Sequence, residues 1–239
     1  MQNSLISRHY TAMPLDHESQ FTHHVPPPCR EEVLIHYEDD NILVVDKPAG
    51  LLSVPGRFVK DSVLHRIMYD YPDAIIVHRL DLDTSGLMVL ALSKSVASDL
   101  NRQFRDRLVE KKYLADVWGK VIALRSQIDL PIRPDPYDRP RQVVDHDAGK
   151  NAITLYEVLE REPQRTRLLL MPITGRSHQL RIHLASIGHP ILGCDLYAHE
   201  TAFKASDRLM LHANSIAFSH PVTNEHITFK STVSLKSLL

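Results

Sequence analysis

Apolar residues come in short runs broken by turn-forming residues, a pattern that predicts many strands and few helices. Val33-Leu34-Ile35-His36-Tyr37 reads as a strand, residues 38–41 as a turn, and Ile42-Leu43-Val44-Val45 as a second strand. Lys47-Pro48-Ala49-Gly50 ends that strand, and a loop containing Pro55-Gly56 leads to a short helix near residues 62–69. Two further apolar runs, Ala74-Ile75-Ile76-Val77 and Leu87-Met88-Val89-Leu90-Ala91-Leu92, flank a polar stretch and predict a hairpin. Ser93 can cap a helix over residues 94–108, in which Val96, Leu100 and Phe104 form one apolar stripe.

Strands are expected over residues 112–118, 153–159 and 167–172, and strand-like alternation continues over 209–230 around a turn at 221–225. Residues 133–141, rich in proline and arginine, read as a loop. Thr174-Gly175 leads into a second long helix that runs to about Ile187 and stops at Gly188 and Pro190. Neighbouring strands joined by short turns pair antiparallel. The expected class is therefore α+β: a mixed, mainly antiparallel central sheet flanked by helices. Residues 1–31 are polar, carry His23-His24 and Pro26-Pro27-Pro28, and read as a flexible extension. Residues 32–239 are expected to form a single domain.

Composition excludes some classes. The 239 residues are 43% hydrophobic and 24% charged, which is ordinary for a globular chain. No apolar run is long enough to cross a bilayer, and the N-terminus lacks a basic-then-apolar signal pattern. Cys29 and Cys194 cannot build a disulfide framework, which fits a reducing cytoplasm. A net charge of -1 gives no global sign of a polyanionic partner, so a nucleic-acid footprint has to be local.

The most informative stretch is His78-Arg79-Leu80-Asp81-Leu82-Asp83-Thr84-Ser85-Gly86-Leu87. Lying between two apolar runs, it puts an arginine and a carboxylate on the rim of a sheet, where rigid backbone can aim them at a ligand. Residue chemistry alone leaves several readings open. Asp81 can be a turn aspartate that bonds its own backbone. Asp81-Leu82-Asp83 invites comparison with the DxD loop of phosphatases, but Thr84 follows at once and His78-Arg79 intervene after the strand. Paired glycosidase carboxylates usually come from separate elements, so this spacing is weak support for them. Asp83 reads as a solvated turn residue. No metal site is expected: the aspartates lack further ligands at suitable spacing, and His178 and His183 stand at i, i+5, off the i, i+4 spacing of a helical zinc pair.

Four stretches in order resemble the RluA-type pseudouridine synthases, from about residue 33 to about residue 230. HRLD-x-x-TSG resembles the active-site motif of that family. Val45-Asp46-Lys47-Pro48-Ala49-Gly50-Leu51 resembles its K-P-x-G loop, with Pro48 and Gly50 bracing the Asp81 loop. Lys111-Lys112-Tyr113-Leu114-Ala115 resembles its second motif. Gly175-Arg176-Ser177-His178-Gln179-Leu180-Arg181-Ile182-His183, followed by GHPILGCDLY, resembles its third. The resemblance implies the pseudouridine synthase catalytic fold. It also implies an enzyme that breaks the N1–C1′ bond of an RNA uridine, turns the base and rejoins it through C5, without a cofactor. Asp81 is then the catalytic carboxylate, Tyr113 stacks on or deprotonates the base, and Arg176 keeps Asp81 ionised and oriented. Leu180, one helical turn beyond Arg176, walls the uracil pocket. Arg79 reaches into the RNA at the flipped base. A glycosyl ester and an oxocarbenium or glycal route both remain open. Arg181 and His183 are read as packing or phosphate-facing residues.

Two local basic clusters can grip RNA. Arg102, Arg105, Arg107, Lys111 and Lys112 lead to Tyr113, and Arg133, Arg139 and Arg141 lie on the proline-rich stretch. Arg105, Lys112 and Arg141 are the RNA-binding candidates beside Arg79. The resemblance is strongest to dual-specificity members of the family. It implies large-subunit rRNA and a tRNA anticodon stem-loop as partners, no DNA or membrane, and a cytoplasmic monomer. Many members carry an N-terminal S4 RNA-binding domain. The residues ahead of the core are too few for one, so RNA choice is expected to come from the core. The competing reading is a non-catalytic RNA-binding or ribosome-assembly factor with the same fold. The presence of Asp81, Tyr113 and Arg176 argues against it.

Overall fold

The computed structural model describes residues 27–233. The expected extension, including His23-His24, lies mostly outside the described residues. In chain order the elements are β1 (Leu34–Glu38), β2 (Ile42–Lys47), α1 (Val63–Ile67), β3 (Ile75–Ile76), β4 (Ser85–Ala91), α2 (Lys94–Arg105), β5 (Glu110–Trp118) and β6 (Arg125–Asp129). There follow β7 (Ile132–Pro134), β8 (Gln142–Val144), β9 (Ile153–Arg161), β10 (Arg165–Pro172), α3 (Gln179–Ser186), α4 (Glu200–Lys204), β11 (Leu211–Ser219) and β12 (His226–Lys230).

One sheet runs β1-β2-β4-β11-β5-β10-β9-β6, with β3 and β12 added off this path, and β7 and β8 form a separate hairpin. The pairings are antiparallel except that of β4 with β11. This is the mixed, mainly antiparallel α+β architecture expected. β4 and β11 meet only where Ser85 faces His212 and Gly86 faces Ala213. Beyond that point the sheet forks: β3 continues beside β4, and β12 continues beside β11. Gly86 permits the meeting. Its φ is +110°, and a Cβ there would lie 2.4 Å from the Ala213 carbonyl oxygen. The loop carrying Asp81 ends at this junction.

β2 and β4 are buried along their whole length, which explains their unbroken apolar runs. Strand alternation divides those residues between two cores. Ile42, Val44, Leu87 and Val89 pack with Val96, Ala97 and Leu100 of α2. Leu43, Val45, Met88 and Leu90 pack with Val63 and Ile67 of α1. A third core sets Leu180 and Leu184 of α3 against Ala115, Val117, Leu168 and Leu170 of β5 and β10. Ser62 and Ser93 cap α1 and α2, accepting from the His65 and Val96 N–H groups at 3.1 and 3.3 Å. Each cap contributes about 1 kcal/mol.

Three local expectations change. β3 covers only Ile75–Ile76, so residues 77–84 form a loop rather than the tight end of a hairpin. Residues 135–141 form the expected loop, but it joins a short hairpin that the sequence did not announce, β7 with β8, in which Arg133 faces Val143. Finally, α3 begins at Gln179, not directly after Gly175. The Gln179 side chain organises the preceding turn. Its Oε1 accepts from the Thr174 hydroxyl at 2.7 Å and from the Arg176 N–H at 3.0 Å, while its Nε2 donates to the Ile153 carbonyl at 2.9 Å.

Candidate active site

The loop of residues 77–84 is held on both sides of Asp81. Before it, the Ser53 hydroxyl donates to the Leu80 carbonyl at 2.8 Å and accepts from the Leu80 N–H at 3.1 Å. After it, the Leu82 carbonyl accepts from the Lys47 ammonium at 2.7 Å and from the Gly50 N–H at 3.0 Å. Lys47 is fully buried and also donates to the Pro48 and Leu51 carbonyls at 2.9 and 2.7 Å, so all three ammonium hydrogens are used. Burial pulls its pKa down to about 7, with the Asp83 charge the largest effect opposing it. His78 anchors the loop's first half: its Nε2 accepts from the Val89 N–H at 3.0 Å and its ring stacks on Phe104. Burial, and then the Lys111 charge, pull His78 down to about 3, which keeps the ring neutral and able to accept. The K-P-x-G stretch therefore braces the loop as expected. Lys47 is the main agent, beside the Gly50 N–H.

This clamping leaves the Asp81 carboxylate without a hydrogen bond or ion pair among the described residues. It lines a cavity of about 280 Å³ together with Arg79, Tyr113, Arg176 and Leu180. Among the described residues Asp81 is the only carboxylate on that wall, while Arg79, Lys111, Arg176 and Arg181 bring positive charge to it. Asp83 is not on the wall; its charge acts on Lys47 and Arg208 behind the loop. A DxD phosphatase or a paired-carboxylate hydrolase needs a second carboxylate at the reacting centre, so neither fits.

Tyr113 lies mid-sheet, opposite Ala213 on β11 and Leu170 on β10. Burial and the Asp81 carboxylate push its phenol well above the usual tyrosine range. In its protonated form the phenol offers the cavity a stacking face and a donor. The expected ion pair between Arg176 and Asp81 is not formed. Arg176 is exposed on the turn before α3, and its Nε donates to the Asn151 carbonyl at 3.2 Å. The physical reason is the later helix start. With residues 175–178 in a turn, Arg176 and Leu180 have no i, i+4 relation, although both still line the cavity.

The buried arginine of the wall is Arg181, which the sequence reading gave no chemistry. Its Nε and Nη2 each lie 3.4 Å from Cys194 Sγ, it pairs with Asp195, and its guanidinium sits 5.6 Å from the Tyr197 ring centroid. Burial pulls its pKa down, but Cys194, Asp195 and Asp81 outweigh this and hold it above the usual arginine value. The signal was in the sequence: GCDLY supplies the acceptors that a buried guanidinium requires.

The RNA-binding candidates separate. Arg79 is exposed at the cavity and has no hydrogen bond or ion pair among the described residues. Lys112 lies on the opposite face of β5 from Tyr113, whereas Lys111, two residues before Tyr113, lines the cavity. Arg105 is exposed away from the cavity and pairs with Asp106 at 3.1 Å. Arg141 lines a second cavity that shares Arg79, Asp81 and His178 with the first, and it bonds Asp138 and the Leu196 carbonyl. His183 is structural, bonded to Thr154 and to the Leu130 carbonyl at 3.0 Å each. Among the described residues, no cluster of three His, Cys, Asp or Glu side chains is placed to hold a metal ion. Among the same residues, no helix is long and apolar enough to cross a membrane.

Residues 41–186 match the RNA pseudouridylate synthase family. The dual-specificity RNA pseudouridine synthase RluA of Escherichia coli (strain K12) is 49% identical over 208 residues, covering 86% of this chain and 95% of that protein. The protein of the same name from Vibrio parahaemolyticus is 50% identical over 202 residues, covering 82% of this chain and 81% of that one. Among solved structures, human RNA pseudouridylate synthase domain containing 1 superimposes with a TM-score of 0.75 at 29% identity, over 87% of this chain and 86% of that chain. The family match spans the Lys47 clamp, Asp81, Tyr113 and Arg181. With its fold, its single-carboxylate cavity and these relatives in agreement, the chain belongs to the RNA pseudouridylate synthase family, in its RluA-type branch.

Proposed function

We propose that this isomerase converts uridine to pseudouridine in large-subunit rRNA and in a tRNA anticodon stem-loop, in the cytoplasm, with Asp81 as its catalytic residue. The observation that carries the reading is the Asp81 carboxylate: clamped through the backbone on both sides and, among the described residues, unpaired and the only carboxylate on a cationic wall. The relatives named for dual specificity, nearly half identical to this chain, support the two RNA classes.

The target base leaves its helix at a cost of a few kcal/mol. Arg79, exposed and unpaired, takes up the space it vacates, and the cationic wall attracts the phosphates. The N1–C1′ bond breaks while Asp81 acts at C1′, by a glycosyl ester or by an oxocarbenium or glycal route. The uracil turns within the pocket between Leu180 and Tyr113, the C5–C1′ bond forms, C5 loses its proton, and N1 gains one. Arg181 takes the part first assigned to Arg176, its buried guanidinium attracting the Asp81 carboxylate across the shared wall. In this reading residues 32–239 act as one catalytic unit that selects the RNA.

The test is a map of pseudouridine in rRNA and tRNA from a strain lacking the gene. Sites in both RNA classes should disappear and return with the parent gene but not with Asp81→Asn. Unchanged maps, or full rescue by Asp81→Asn, would refute the proposal.

A further inference from the structure

His178 stands where the two cavities meet, on the wall beside Asp81. Its backbone is left-handed at φ +54°, a conformation uncommon outside glycine and found disproportionately at functional positions. Its ring is bonded on one side only, with Nδ1 2.8 Å from the Tyr197 hydroxyl. The Tyr197 oxygen also accepts from the Gln142 N–H at 2.8 Å. Burial pushes the Tyr197 phenol up to about 12, so it keeps its hydrogen. Among the described residues, the acceptor in reach of that hydrogen is His178 Nδ1. The hydroxyl therefore donates to Nδ1, and a neutral imidazole must then carry its own hydrogen on Nε2. Burial lowers the His178 pKa against the pull of Asp81, in keeping with a neutral ring.

Among the described residues that Nε2–H has no hydrogen-bond partner, yet it is not sealed away. Among the described residues, His212 Nε2 is the only buried side-chain nitrogen or oxygen left without a hydrogen bond. His178 thus presents an open donor whose direction is set by Tyr197, and Tyr197 in turn is tied to the β7–β8 hairpin through Gln142. We infer that the neutral His178 imidazole donates its Nε2–H to an oxygen of the target uridine, either a uracil carbonyl or the ribose 2′-hydroxyl, and that Tyr197 is the positioning residue that fixes this tautomer. The inference rests on the pseudouridine synthase reading and adds to it a contact that selects the nucleotide.

Proton–nitrogen correlation spectra of the full chain, labelled in histidine, read the tautomer directly. His178 should carry its hydrogen on Nε2 in the parent chain and lose that fixed tautomer in Tyr197→Phe; a parent Nδ1–H tautomer would overturn the inference. His178→Asn takes away the Nε2–H, since the shorter amide reaches only about as far as Nδ1, and keeps a residue that tolerates the left-handed turn. It should lower kcat/KM about tenfold, the size of one neutral hydrogen bond. Target nucleotides made as 2′-deoxyuridine, 2-thiouridine or 4-thiouridine each weaken one acceptor. On one of them the His178→Asn loss should vanish, because the partner is already gone. Independent, additive losses on all of them would overturn the contact. Release of the C5 hydrogen by the parent chain, followed in the same reactions, separates the two levels. Normal release with additive losses strikes the His178 inference alone, whereas no release from any substrate strikes the family reading beneath it.

Discussion

Gly86→Ala tests the junction that carries the catalytic loop. The new Cβ would lie 2.4, 2.6 and 2.8 Å from the carbonyl oxygen, nitrogen and carbonyl carbon of Ala213, against 3.4 Å or more for an ordinary contact. Relieving the shortest of these means parting β4 from β11 by about 1 Å, at the one place where the two strands touch. Overpacking of this kind costs about 1–3 kcal/mol. Holding a residue with a side chain at φ +110° adds about 1–3 kcal/mol more. The expected loss is about 2–6 kcal/mol, a large share of the roughly 5–15 kcal/mol that stabilises a domain. Molecules that still fold carry a displaced loop, and misplacing a reacting group by about 1 Å costs about a hundredfold in rate. Urea unfolding followed by circular dichroism reads the first effect. Single-turnover isomerisation, run cold enough that the variant is folded, reads the second. An unchanged unfolding midpoint with parent-like turnover would refute the close-approach role of Gly86.

Three further outcomes follow from the site. Lys47 loses its proton at about 7 when folded but near 10.5 when unfolded, so the folded chain binds fewer protons between those values and Lys47 makes stability rise with pH across that window. Melting temperature against pH should show this rise in the parent and lack it in Lys47→Met; identical slopes would contradict the buried ammonium. Arg181→Met should lower kcat about tenfold more than Arg176→Met, since Arg181 is the arginine whose charge reaches Asp81, and the reverse order would restore Arg176 as its partner. Arg79→Ala should leave the melting temperature unchanged, having no pair to lose among the described residues, and should impair turnover more on a stem-loop than on unpaired RNA. Equal impairment on both would count against a flipping role.

Much of this was legible in the sequence because it follows from local physics. The unbroken runs of β2 and β4 announced strands buried on both faces, and Ser93 announced the start of α2. The role of the second arginine of the third motif was legible only in part: GCDLY offers acceptors, but the chain does not say which arginine they meet. Arg181 is held by Cys194 and Asp195, and no periodicity predicts that meeting. The start of α3 was misplaced because Gln179 holds residues 174–176 as a turn through side-chain bonds to Thr174 and Arg176. Lys111 and Lys112 could have been told apart. Once Tyr113 was taken to face the site, strand alternation put Lys111 on the same face and Lys112 on the other. Lys47 looked like part of a turn until the structure showed its ammonium spanning from that turn to the catalytic loop.

Release of tritium from RNA labelled at uracil C5 tests the central claim most directly, because only isomerisation through C5 must expel that hydrogen. If Asp81 is the catalyst, the parent chain releases tritium in step with pseudouridine formation, and Asp81→Asn binds the same RNA and releases none. Release by Asp81→Asn at the parent rate, or no release by the parent chain on rRNA and tRNA substrates, would contradict it.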